Sequence, residues 1–207
     1  MNVGLKNRSA LFGLLLASGV SLSIANADDK SAGFRPGPAS SFPNRQVQKD
    51  AVLAAAAYTT DEQTKAPFGK LNPYEHGVLP VLLLIENKGS QVLRLEKLRV
   101  QYIDSRRRKI DNVPAKDVPY LRAPERPKMN TGPLPGIKFK KKNPLSAIEI
   151  DSRSFGARML TPGESVHGFF YFQADHQPGA MLYVTGIEEA TSGKELFYVE
   201  IPLDSAR

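Results

Sequence analysis

The feature that most limits the fold of this chain is a series of strand-length apolar runs cut by turn residues. The first, Gly77 to Asn87 (GVLPVLLLIEN), is apolar almost throughout and ends in Asn87-Lys88-Gly89, as a strand buried on both faces would. Pro80 cannot donate to a ladder, so it belongs near the start of that strand or at a bulge. Val92 to Leu95 and Leu98 to Ile103 alternate apolar with polar residues, which predicts half-buried antiparallel strands with Leu98, Val100 and Tyr102 facing inward. Asp104-Ser105 starts a turn, with a short return strand over Ile110 to Val113. Three further β-branched or aromatic runs close the chain: Gly163 to Gln173, Met181 to Glu188 and Glu195 to Leu203. Short strands at this spacing, with little helical periodicity, predict an all-β sandwich with antiparallel links.

Helix is expected at one place. Thr60 is followed three positions on by Gln63, the capping-box spacing, and Gly69 can end the turn, so a short helix is expected over about 61–67, with a polar loop as the other reading. The Ala-rich stretch Asp50 to Tyr58 reads equally as strand or helix. Residues 28–48 hold three prolines and no apolar period, and are expected to form a flexible leader that packs little.

The amino-terminal end has the layout of an export signal. Lys6 and Arg8 precede an uncharged run from Ser9 to Ala27 that closes with Ala25-Asn26-Ala27. Its strongly apolar part is roughly 15 residues, shorter than the roughly 20 that span hydrocarbon, so cleavage after Ala27 is expected rather than an anchor. Residues 1–27 are thus the expected signal, and 49–207 the folded domain of a protein destined for the periplasm or beyond the cell.

Composition removes many chemistries. The 207 residues include no Cys, which excludes disulfides, thiolate metal sites, Cys nucleophiles and a lipid-bearing Cys anchor. The three His are far apart in sequence. Ser165 and His167 lie two apart, on one face of an extended strand, but the segment lacks the G-x-S-x-G elbow of a hydrolase. His76 beside Glu75 and His176 beside Asp175 diverge on an extended chain, and nothing nearby completes a metal site. No catalytic residue, metal or cofactor is expected.

Two blocks resemble a known family. Leu79-Pro80-Val81-Leu82-Leu83-Leu84-Ile85-Glu86-Asn87-Lys88-Gly89-Ser90, with the alternating strand to Asp104, is similar to the first half of bacterial secreted immunoglobulin-like domains of unknown function. Leu160-Thr161-Pro162-Gly163-Glu164-Ser165, followed by Gly168-Phe169-Phe170-Tyr171-Phe172, resembles their later turn and strand. The resemblance implies a single immunoglobulin-like antiparallel β-sandwich acting as an accessory or interaction module. The long stretch between the blocks departs from such compact domains, so no binding surface carries over.

That stretch, residues 105–144, holds twelve Lys or Arg against three acidic residues, a local charge of +9 in a chain whose net charge is +7. Seven prolines oppose regular helix and interior strand there, so a long exposed basic loop is expected. Two functions follow as expectations. The first is a non-enzymatic envelope module that binds a protein through loops or a sheet edge, where an aromatic run such as Phe197-Tyr198-Val199 would serve strand addition. The second is electrostatic binding of an anionic polymer or membrane surface through Arg106, Arg107, Arg108, Lys109, Lys138, Lys140, Lys141 and Lys142. Equally, the loop reads as a solubilising, solvated segment. Only Tyr120 and Phe139 interleave these cations, so nucleic acid is not an expected partner.

Overall fold

A computed structural model describes Met1 and residues 33–121 and 143–204. Within them the chain is mostly β. In order run β1 (Arg45–Val47), β2 (Ala51–Ala57), helix α1 (Asp61–Phe68), β3 (Leu79–Asn87), β4 (Leu93–Arg94), β5 (Arg99–Ile103) and β6 (Lys109–Asp111). Then follow helix α2 (Ile148–Ser152), β7 (Met159–Leu160), β8 (Ser165–Phe172), β9 (Met181–Glu189) and β10 (Glu195–Pro202). The ambiguous Ala-rich stretch is strand β2, because Ala51 to Ala57 pair residue by residue with Asn87 back to Val81 of β3. The capping box forms as expected: Thr60 and Gln63 exchange side-chain and backbone hydrogen bonds, and Gly69 ends α1.

Two antiparallel sheets result. One has the order β1-β2-β3-β8; in the other, β5 and β4 lie end to end along one side of β9, flanked by β6 and β7, while β10 lies along the opposite side. The odd-numbered residues of β3 (Leu79, Val81, Leu83, Ile85) enter a core shared with Val100, Tyr102, Leu182, Val184, Val199 and Ile201 of the second sheet. The even-numbered Leu82 and Leu84 face the other way, into a second core with Val52, Phe68, Val118, Leu145, Ile150 and Phe169. β3 therefore has water on neither face, which is why its sequence is continuously apolar. Leu98 is half-buried, and Val100 and Tyr102 are fully inside.

The second core corrects two expectations. The leader does pack: Phe34 meets Tyr58 and Phe169 edge-on or tilted, Ala39 is wholly buried, and β1 adds to β2. What holds it is Glu86, a carboxylate inside the apolar strand, whose Oε1 accepts the Ala39 amide at 2.6 Å while Oε2 lies 2.9 Å from Lys88 Nζ. Burial alone would raise the Glu86 carboxyl; Lys88 and the Ala39 amide outweigh it and hold it below its ordinary value. The expected loop is likewise built into the fold over 105–121. β6 pairs with β5, Val113 donates to the Tyr171 carbonyl at 2.7 Å, and Val118 sits in the second core. Its few apolar residues are enough to dock it, since the outer face of the first sheet needs covering. Residues 122–142, and with them Lys138, Lys140, Lys141 and Lys142, lie outside the described residues, as does the expected signal at 2–27.

Both family-like blocks meet at one buried side chain. Asn87 ends β3 with Nδ2 donating to the carbonyls of Gln91 (2.8 Å) and Leu160 (3.0 Å), and Oδ1 accepting the Gly89 amide (3.0 Å). Its backbone exchanges bonds with Glu164 and Gly163. The turn after β3 and the turn before β8 are thus one joint.

Candidate functional site

The basic residues that can be placed, Arg106 to Lys109, form the β5–β6 turn. Asp104 organises it: Oδ1 accepts the amides of Arg106 and Arg108, both at 2.9 Å, and Oδ2 accepts Arg108 Nε at 2.7 Å. Burial works to raise this carboxyl, but the Arg108 amide and guanidinium and the Arg106 amide outweigh it and hold Asp104 below the usual carboxylate range. Its stabilising effect is therefore complete above the unfolded value of about 4 and is lost as pH falls through the lower folded value. Asp104→Asn should be less stable than the parent at neutral pH, with the gap closing below about pH 4 in acid-denaturation curves.

Three of these four cations meet a partner, and the exposed Arg106 guanidinium makes no bond with any described residue. Arg107 occupies a left-handed turn position (φ 64) and its guanidinium forms a fork on Glu200 of β10, at 3.1 and 3.3 Å. Arg108 is paired with Asp104. Lys109 Nζ stands 4.1 Å from the centre of the Tyr183 ring, and Tyr183 packs against Tyr198 with centroids 5.9 Å apart. The structure thus gathers Arg107 and Lys109 with Tyr183, Tyr198 and Glu200 on the outer face of the second sheet.

These groups flank β10, whose side away from β9 is the longest sheet edge without a paired strand among the described residues, with β1 of the first sheet lying nearby. β8 is covered on its outer side by Val113 and by the segment Arg153 to Phe155, which exchanges backbone bonds with Phe169. The other edges, β1, β6 and β7, are two or three residues long. β10 runs for eight. Leu203 donates to the Ala180 carbonyl on the β9 side, so by alternation the backbone groups of Ile201 and Val199 also face β9, and those of Glu200 and Tyr198 face outward. Among the described residues no backbone bond beyond the β9 ladder reaches Tyr198 or Glu200, and Tyr198 is 67% exposed. Pro202 falls on the outward side, where its missing N–H costs the ladder nothing and ends the open stretch.

Beyond Pro202 lies a cleft of about 670 Å³. Its floor includes Ala55 and Ala57 of β2 and Leu203; its rim includes Asn44, Gln63, His176 and Asp204. Both His176 nitrogens are engaged, Nε2 with Asp204 Oδ1 at 3.2 Å and Nδ1 with the Tyr102 hydroxyl at 3.4 Å. That hydroxyl also accepts the Gln177 amide, and burial pushes it up from its ordinary value. His176 is thus a brace between β5 and the carboxyl end of β10. His167 Nε2 bonds the Phe34 carbonyl at 3.2 Å, away from Ser165, and no group of three metal-ligating side chains exists among the described residues. Sequence reasoning missed Asn44, Asp204 and the cleft: each draws its meaning from a partner on a distant strand.

No protein-family model matches this chain, and no curated protein matches it. Among solved structures, it is similar to a Bacillus subtilis protein provisionally named a lipoprotein, ycdA, with 12% identity and a TM-score of 0.40. The match covers 78% of this chain and 38% of that one. A Bordetella pertussis protein provisionally named ApaA is similar at 14% identity and a TM-score of 0.34, over 73% of this chain and 88% of its own. Among the described residues no helix is long and apolar enough to cross a membrane.

Proposed function

We propose that this chain is an exported, non-enzymatic module of the bacterial cell envelope, a single immunoglobulin-like sandwich that binds a protein partner by strand addition at β10. The observation that carries the reading is the open edge at Tyr198 and Glu200: outward backbone donors and acceptors beside an exposed aromatic ring. The electrostatic alternative draws less support from the turn at 106–109, since Arg107 and Arg108 are paired with carboxylates and Lys109 lies on Tyr183. Crosslinking in cells that make the protein tests the choice. Capture of a discrete partner should survive Lys138, Lys140, Lys141 and Lys142 all changed to Ser, and survive roughly 0.5 M salt, where screening acts within a few ångströms. It should be lost with Tyr198→Pro, which blocks the outward edge and removes no bond to β9. Loss with the Lys changes and retention with Tyr198→Pro would transfer the function to the basic segment.

A further inference from the structure

The cleft lies just past the carboxyl end of β10: its lining takes in Leu203 and Asp204, the two residues that follow Pro202, and none of β10 itself. Some of its polar groups keep hydrogen-bonding capacity that the fold does not use. Asn44 is only 7% exposed and lines the cleft, yet its side-chain amide makes no hydrogen bond with any described residue. Neither polar atom of that carboxamide is a buried orphan, so both can bond a guest in the cleft. Gln63 is exposed at the same cleft: Oε1 is taken by the amides of Thr59 (2.8 Å) and Thr60 (3.1 Å), which leaves Nε2 as a donor with no described acceptor. One carboxamide that both donates and accepts, and a second that donates, match the groups of a peptide backbone.

Charge narrows the occupant further. Among the described residues no Lys or Arg lines the cleft, and Asp204 brings its one carboxylate. Asp204 accepts from His176 and from the Gly179 amide, and a carboxylate retains lone pairs for a third donor. The floor of Ala55, Ala57 and Leu203 is small and apolar, which leaves room above it for an alkyl stem.

We infer that the cleft is the end pocket of the β10 docking edge, and that it receives an extended peptide segment carrying a Lys or Arg, whose backbone bonds Asn44 and whose cation reaches Asp204. This rests on strand addition at β10. The probe is a library of short random peptides displayed on phage, selected on the full chain and on three variants, Asn44→Leu, Asp204→Asn and Tyr198→Pro, each first checked by thermal melting. Glu200→Pro serves as the edge block if Tyr198→Pro fails to fold, and Asn44→Ala replaces Asn44→Leu on the same condition.

The expected result is enrichment of sequences with a basic residue at one fixed position, falling at least about tenfold on Asn44→Leu and on Asp204→Asn, as the loss of a charge-assisted or buried hydrogen bond would give. Binders without a basic residue, or binders indifferent to Asn44→Leu, overturn the cleft assignment while leaving the edge in place, provided Tyr198→Pro still abolishes them. Binders indifferent to Tyr198→Pro overturn the edge reading. Recovery of no binder overturns both.

Discussion

Asn87→Ala should unfold at much lower urea than the parent, with a loss on the order of 3 kcal/mol, because it removes three hydrogen bonds and strands the Leu160 carbonyl in a buried place and the Gln91 carbonyl in a part-buried one, while the Gly89 amide keeps the Asp50 carbonyl. The figure follows from about 1 kcal/mol for each neutral hydrogen bond, with the desolvation of groups left unpaired added on top. Asn87→Asp separates the two halves of the side chain. It keeps the acceptor for Gly89 but aims a carboxylate at two carbonyl oxygens, so it should be no more stable than the alanine variant at neutral pH and should recover as acid protonates it. If Asn87→Ala melts within a degree or two of the parent, the joint between the β3 and β8 turns is not what holds them.

Gly186→Ala should be still more damaging. Gly186 has φ +79 and sits where β9 passes from β5 to β4, at the place where the register with β10 shifts between Val184 and Ile187. A Cβ there would fall 2.0 Å from the Lys97 carbonyl oxygen, which is backbone and cannot swing aside. Gly163 supplies the comparison: its φ is +78, but a Cβ would meet nothing within 4 Å. Gly163→Ala should therefore cost about 1 kcal/mol for the left-handed conformation alone, and Gly186→Ala well above 3 kcal/mol, because the second sheet must part at the bulge. Denaturant melts of the two variants separate conformational strain from collision. Equal losses would mean that the β9 bulge yields.

These two positions show where sequence reading works and where it stops. β3 was legible because a strand covered on both faces must be apolar at every position, and α1 because the Thr60–Gln63 box is local. The same reading passed over Glu86, the one carboxylate in that apolar run, which signalled a buried partner to come: the leader. The leader's contacts join Ala39 to a residue 47 positions away, which no local pattern encodes. Residues 105–121 read as loop because charge and proline dominate their composition, while docking needed only Val113, Val118 and the Ile110 pairing. The aromatic run at 197–199 was visible as a strand. That it lies on an edge depends on strand order, and the cleft at Asn44 and Asp204 depends on two edges meeting.

The packed leader also sets the order of events when the chain is made. Phe34 is among the first described residues to be synthesised, and its carbonyl waits for His167, which follows 133 residues later. Until β8 exists, the leader has Tyr58 but lacks Phe169 and His167, and β3 lacks one of its two neighbours. The first sheet therefore closes only when most of the chain is available, and closure over such separations is slow because loop entropy is spent before contacts repay it. A chain interrupted before Ser165 would keep its apolar β3 unzipped along one side, so apolar surface and an unpaired edge stay exposed up to nearly its last strands.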